Sequence, residues 1–488
     1  MRSWPPALAH AVRVMGAMVA LWGPWEQARQ CAGMLRARFA FPMDLEWMEG
    51  AHLYHAYRIL HGLPLYVDPA RGFATFPYPP LYWTILAGAG AAFGLDYAVA
   101  RAVSLACMGG AALLLCHAIV RHAPSRGVGI GLSAAALGMI AAAYPLVGTA
   151  FDLARSDAMA LLVPVLAASL VRDGRLGGPR LLAVAASLTC AIYTKQTNVF
   201  YVVWLVGFVA TRDRRTGLRL AVATLVPCGA LLAALTVLTG GWFWTWLVDQ
   251  SQHGFRPFAE WGPALPELVL HDPMLLGLPW MAVVLHRRGR LGADSVKWLG
   301  MLASAFAAAM LPFAKNGGWL NVLLPVFVLS WPVVFVLLGD LARARHTLRG
   351  APAFGLAVAA IASLHLKYDP APYVPNAARD EGARKVHALV RDLPGKVVFT
   401  TSPFLGVLEG KTNTQPVYQG YIDADHAGIS VDYADALDAS GADWLVVIAE
   451  PGPRDYRPKL AAKFEHVRDV DFWFEPLPWP PASVWKRR

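Results

Sequence analysis

Long apolar runs, joined by short links whose arginines fall on alternate turns, constrain this chain more than any other feature. The runs lie near residues 5–23, 97–120, 128–150, 157–171, 180–194, 198–211, 217–240, 272–286, 295–313, 318–339 and 352–366. A helix needs about 20 apolar residues to cross the hydrocarbon core, and fewer if its ends lie in the interface. Arg121 and Arg126 follow the second run, and Arg172, Arg175 and Arg180 the fourth. Arg212, Arg214, Arg215 and Arg219 follow the sixth, Arg287, Arg288 and Arg290 the eighth, and Arg343, Arg345 and Arg349 the tenth. Every even-numbered run thus exits into a basic link. The positive-inside rule places those links and the N-terminus in the cytoplasm and the C-terminus outside. The pattern predicts an α-helical polytopic membrane protein of about eleven transmembrane helices. Charged residues make up 16% of the 488, against about 25% in soluble domains. The net charge of +10 is largely the retention signal of these links, so no nucleic-acid partner is called for.

The run "PPLYWTILAGAGAAFG" (79–94) is apolar but short. Counting it as a span would move every later basic link outside, so it reads as an interfacial or re-entrant helix. The first outer loop then covers about 24–96. The N-terminus reads as a retained first span with no cleavable signal peptide. Cys31, Cys107, Cys116, Cys190 and Cys228 fall mostly in apolar runs without ligand spacing and read as small buried hydrophobes. The first 366 residues form the transmembrane module. Residues 367–488 turn mixed polar, with strand-like "KVVFTT" (396–401) and "DWLVVIAE" (443–450), and predict a small extracytoplasmic α/β domain.

This topology gathers the unusual polar residues on one side. "FPMDLEWMEG" carries Asp44, Glu46 and Glu49 in the first outer loop. "FDLARSDAM" (151–159) carries Asp152, Arg155 and Asp157, "YTKQTN" (193–198) carries Lys195 and Gln196, and "FAKNGGWLN" (313–321) carries Lys315, Asn316 and Asn321. Ionisable groups near the bilayer are costly and are rarely kept without a role. Lys195 and Lys315 sit in very short links near the headgroups, where a cation suits a lipid-anchored phosphate. Each has a plainer reading. A lone lysine at a helix end is usually a snorkelling anchor, and Arg155 with Asp152 or Asp157 reads equally as a structural ion pair. Glu49, His52 and His55 recur every three residues, but this spacing is no established ligand motif, so a divalent metal is conceivable and unsupported. Tyr78, Tyr82 and Trp83 suit stacking on sugar or isoprenoid, or an aromatic belt.

In serial order, "DLEWMEG", "ILHGLPLYVDP", "FPYPPLYWTILAGAGAAFG", "ARSDAMALL", "YTKQTNVF" and "KNGGWLNVLLP" resemble the GT-C class of membrane glycosyltransferases. More narrowly they resemble bacterial relatives of protein O-mannosyltransferases and of the lipid A aminoarabinose transferase, over about residues 40–330. The resemblance implies a GT-C type bundle with juxtamembrane helices in the first outer loop, a cavity facing outward, and a sugar donor carried on polyprenyl phosphate. It places the chain in the bacterial cytoplasmic (inner) membrane. The absence of a nucleotide-binding motif fits a lipid-borne donor. A lipid phosphate leaves readily and needs cations, for which Arg155, Lys195 and Lys315 are the candidates. The acceptor hydroxyl, on a glycan, lipid or protein, needs a carboxylate base. Asp44 is the first choice, with Glu46 or Glu49 orienting it, and in-line displacement would invert the anomeric carbon. Asp157, Gln196, Asn316, Asn321 and Tyr78 are the substrate-binding candidates, and no cofactor is expected. Close relatives often carry an adjacent Asp-Glu, whereas here Asp44 and Glu46 are separated by Leu45, so the identity of the base stays open. The rival reading is a transporter or flippase of lipid-linked sugars, which would place charges near mid-membrane and often in repeated halves.

Overall fold

In a computed structural model, all residues are described except 1–5, 173–175, 250–253, 288, 290, 345–349, 413, 427, 430–431, 449–455 and 471–481. Arg175, Arg288, Arg290, Arg345 and Arg349, residue 5 of the first run, and residues 449–450 of the second strand-like run therefore lie outside the described residues. Helix α1 (Pro6–Phe39) is followed by α2 (Glu49–Leu60), α3 (Leu81–Phe93), α4 (Tyr97–His122) and α5 (Arg126–Ala142). Next come α6 (Asp157–Leu170), α7 (Gly178–Thr194), α8 (Val199–Arg212) and α9 (Arg214–Leu238). Helices Met274–Arg287, Ala293–Phe313, Leu324–Ala344 and Ala351–His365 complete the bundle. Each predicted apolar run overlaps one of these helices, though the bounds differ. By length and composition, Tyr97–His122, Arg214–Leu238, Ala293–Phe313 and Leu320–Arg343 suffice to cross a membrane, and the others are shorter or less apolar.

The first helix departs from expectation. It does not end near residue 23 but runs for 34 residues, about 51 Å at 1.5 Å per residue. Pro24 lies inside it without breaking it, because neighbours hold its second half. Gln27 donates to the Ser363 carbonyl (3.0 Å) and Gln30 to that of Tyr368 (2.9 Å). Gly138 of α5 packs onto the Pro24 backbone, where a methyl group would overlap it. Arg38, in the last turn, is buried and paired with Asp152 at 2.8 Å. The helical part of the first loop is therefore α2 and α3. At 13 residues, α3 spans only about 20 Å.

The C-terminal segment holds a four-stranded sheet in the order β1 (Val397–Phe399), β2 (Trp444–Ile448), β4 (Ala482–Arg487), β3 (Phe464–Val470). Strands β1 and β2 are parallel and the other pairings antiparallel. Helix Ala377–Asp392 lays Ala383, Val386, Leu389 and Val390 on Val397, Phe399, Val446 and Val484. The same apolar cluster includes Phe41, Met43 and Leu45 of the first loop and Leu153 of the α5–α6 link. A second cluster joins Tyr54, Phe73 and Phe76 to Val398, Phe404 and Tyr421. The acidic loop thus lies between the bundle and the sheet, in contact with both.

Candidate active site

Residues 41–48 turn from the end of α1 into α2, and a buried ion pair fixes that turn. Glu49 and Arg101 are both fully buried, with Arg101 Nη2 at 2.8 Å from Glu49 Oε2. Glu49 also accepts from the backbone N–H of Leu45 (2.6 Å) and Ala154 (2.8 Å). Arg101 donates to the carbonyls of Phe41 (2.5 Å) and Met43 (2.6 Å). The pair ties α2, α4, the acidic loop and the link before α6 at one point. Burial alone would raise the Glu49 carboxyl, but Arg101 and the two N–H donors outweigh it and hold it below the ordinary value. Such a pair is well compensated only because every lone pair and proton is matched.

Asp44 turns the other way, towards the C-terminal sheet. It accepts hydrogen bonds from the Gly50 N–H, the Tyr97 hydroxyl (3.0 Å) and the Ser402 hydroxyl. A β-carbon at residue 50 would stand 2.9 Å from its Oδ1, so glycine lets the carboxylate reach the backbone. Burial, with the charge of Glu49 adding to it, pushes the Asp44 carboxyl up to about 7 against the pull of its three donors.

Glu46 faces the cations. Its Oε2 lies 2.9 Å from Arg155 Nη1 and accepts the Met48 N–H (3.1 Å), while its buried Oε1 has no hydrogen-bond partner among the described residues. Burial raises its carboxyl above the ordinary value despite Arg155. From Arg155 the network continues to Asp157 (3.1 Å), and Asp157 Oδ1 receives both Lys195 Nζ (2.7 Å) and Asn321 Nδ2 (2.9 Å). Four segments, 41–50, 151–157, 193–198 and 320–323, therefore meet in one buried chain of alternating charge. The guanidinium has five N–H donors and the ammonium three. The pairs to the acids engage Nε and Nη1 of Arg155 and one proton of Lys195.

An aromatic patch borders this chain. The Lys195 ammonium lies 6.0 Å from the Tyr78 ring centroid. His52 stacks on Tyr78 (6.1 Å, 19°) and accepts the Trp83 indole N–H at 2.7 Å through Nδ1, while its buried Nε2 has no partner. Gln196 donates to the Pro77 carbonyl (2.8 Å), and its buried Oε1 is likewise unpartnered. Asn316 is not brought into the network: it is exposed and donates its backbone N–H to Gly254. Lys315 bridges to Phe255 through the backbone and sets its ammonium 5.8 Å from that ring.

The three residues weighed as metal ligands point to different partners. Glu49 faces Arg101, His52 faces Trp83, and His55 is bonded to the Ala51 carbonyl (2.5 Å) and to Thr75 (2.9 Å). Among the described residues no group of three His, Cys, Asp or Glu is arranged to hold a metal ion. Sequence reasoning passed over Arg101, Tyr97 and Ser402. Arg101 had a readable signal, an arginine early in an apolar run. Ser402 had none, because it reaches Asp44 across 358 positions.

Comparison with protein-family profiles and with curated protein sequences finds no match. Among solved structures, the chain is similar to ArnT from Cupriavidus metallidurans bound to undecaprenyl phosphate. The identity is 14%, 98% of each chain is covered, and the TM-score is 0.57. The apo state of the same protein gives 14%, 98% of each chain and 0.56. An oligosaccharyltransferase from Archaeoglobus fulgidus in the apo form gives 12% identity over 92% of this chain and 70% of that one, with a TM-score of 0.49. The likeness to ArnT runs from end to end and is one of fold, as the resemblance in the sequence implied.

Proposed function

We propose that this protein is a membrane glycosyltransferase that moves a sugar from a polyprenyl-phosphate donor to an acceptor hydroxyl at the extracytoplasmic face. The observation that carries the reading is the buried chain Glu46–Arg155–Asp157–Lys195, gathered from distant segments and ending in a carboxylate oxygen with no partner. A whole-chain fold shared with a protein solved bound to undecaprenyl phosphate supports the donor class. The topology that goes with it has about eleven spans, the N-terminus in the cytoplasm and the sheet outside.

The roles follow from what each group has left to offer. Arg155 and Lys195 keep donors beyond their ion pairs and stabilise the phosphate as it leaves. Asp157 and Asn321 hold those cations in place. Of the three acids, Glu46 takes the role of base, because its buried Oε1 is left without a donor beside the cations. Asp44, the first choice from sequence, has both oxygens engaged and instead holds the loop to Tyr97 and Ser402. Glu49 anchors the loop through Arg101. In the reaction, the acceptor hydroxyl gives its proton to Glu46 and its oxygen attacks the anomeric carbon. The anomeric C–O bond breaks, and the phosphate leaves with the electron pair, inverting the carbon.

Glu46→Gln keeps the shape and removes the base. Transfer in membranes supplied with lipid-linked sugar should fall about 100- to 10,000-fold, with polyprenyl-phosphate binding retained. Persistent transfer would remove Glu46 from this role, and a product of retained anomeric configuration would remove the single displacement. Movement of lipid-linked sugar across the membrane without any transfer by the unaltered protein would favour the transporter reading.

A further inference from the structure

Besides Glu46 Oε1, two buried polar atoms beside the proposed phosphate site have no partner among the described residues, and they are of opposite kind. The Trp83 indole N–H can only donate, so His52 Nδ1 accepts it and the neutral ring carries its proton on Nε2. His52 is 1% exposed, and that Nε2–H donor meets no acceptor among the described residues. Gln196 commits its amide nitrogen to the Pro77 carbonyl, which fixes its orientation and leaves Oε1 as an acceptor without a donor. Both side chains pack on the turn at residues 77–78, His52 by stacking on Tyr78 and Gln196 through Pro77. Lys195, next in sequence to Gln196, lies over the same Tyr78 ring. His55, one turn further along α2, is a useful contrast, because both of its nitrogens are satisfied inside the protein.

We infer that His52 Nε2–H and Gln196 Oε1 form a subsite for ring hydroxyls of the transferred sugar. The inference rests on the glycosyltransferase reading above and names its substrate class. A hydroxyl both donates and accepts, so one or two of them satisfy the pair. A phosphate cannot, since it brings only acceptors to Gln196. An ammonium cannot, since it has no lone pair for His52. Burial, and the nearby charges of Arg155 and Lys195, keep the His52 ring neutral against the opposing pull of Asp157, so the donor and the tautomer persist through the physiological range.

The test compares affinities of the full-length protein in micelles for undecaprenyl phosphate and for three undecaprenyl-phosphoryl sugars, mannose, glucose and 4-amino-arabinose. The unaltered protein should bind at least one of the three sugar-bearing lipids about tenfold more tightly than sugar-free undecaprenyl phosphate. In His52→Phe and Gln196→Met the ratio of sugar-bearing to sugar-free affinity should fall towards one. Thermal unfolding identifies a variant that fails to fold, in which case the other variant decides. A gain that survives in both variants, or no gain for any sugar, would each overturn the subsite. Arg155→Gln separates the two levels of the argument. If it abolishes binding of undecaprenyl phosphate while the subsite fails, the glycosyltransferase reading stands without it. If the unaltered protein does not bind undecaprenyl phosphate, both fall.

Discussion

Asp44, Glu46 and Glu49 lie within six positions, yet their surroundings give them three different chemistries. Asp44 is buried against three neutral donors and titrates near 7. The unfolded value is about 3.9, so the folded state binds this proton more tightly. Its stabilising effect is therefore fully present below about pH 4, fades as the pH rises to about 7, and is constant above. The unfolding temperature of the unaltered protein minus that of Asp44→Asn should fall across that window and level off beyond it. A difference that is flat with pH would show that Asp44 is an ordinary exposed acid. Glu49 has the opposite situation. Glu49→Gln leaves the buried Arg101 guanidinium without its counter-charge, which should cost about 3–5 kcal/mol. Denaturation in micelles would measure it, and Glu46→Gln should show no comparable loss of stability. Sequence showed three acids next to an apolar run. It did not divide them, because the division depends on which residue of α4, the 151–157 link or the sheet each acid meets.

At the scale of elements, close helix contacts depend on a few small residues. Gly138 brings α5 onto the backbone of α1 at Pro24, with no room for a methyl group. Gly138→Ala should separate the two helices and destabilise the bundle by about 1–3 kcal/mol, read as a lower unfolding temperature. Because α1 carries Arg38 to Asp152, transfer should fall as well. The long bundle helices were legible in the sequence as apolar runs, the first except for its length, whereas the polar helix Ala377–Asp392 was not. Its continuation past Pro24 rests on Gln27, Gln30 and Gly138, whose partners are distant in the chain. Strands β1 and β2 were legible as short runs of valine, phenylalanine, leucine and isoleucine. Strand β3, "FEHVRDV", was not, because most of its residues are exposed and polar and its pairing with β4 supplies the order.

Across the whole molecule, the acidic loop belongs to both halves. Phe41, Met43 and Leu45 are buried in the core of the C-terminal sheet, and Asp44 accepts from Ser402. A chain ending at residue 366 should therefore lose transfer even where its helices insert, and Ser402→Ala alone should weaken transfer far less. Full activity of the truncated chain would show that the sheet has no part in ordering the loop. Membrane class, the order of the apolar helices, and the acids, bases and amides that their links carry were determined by the sequence itself, because hydropathy acts locally along the chain. Which acid pairs with which base was decided only by tertiary structure. Ion pairs act across a few ångströms of space, so the pairing of Glu46 with Arg155 and of Asp157 with Lys195 exists only once separate segments of the chain have packed together.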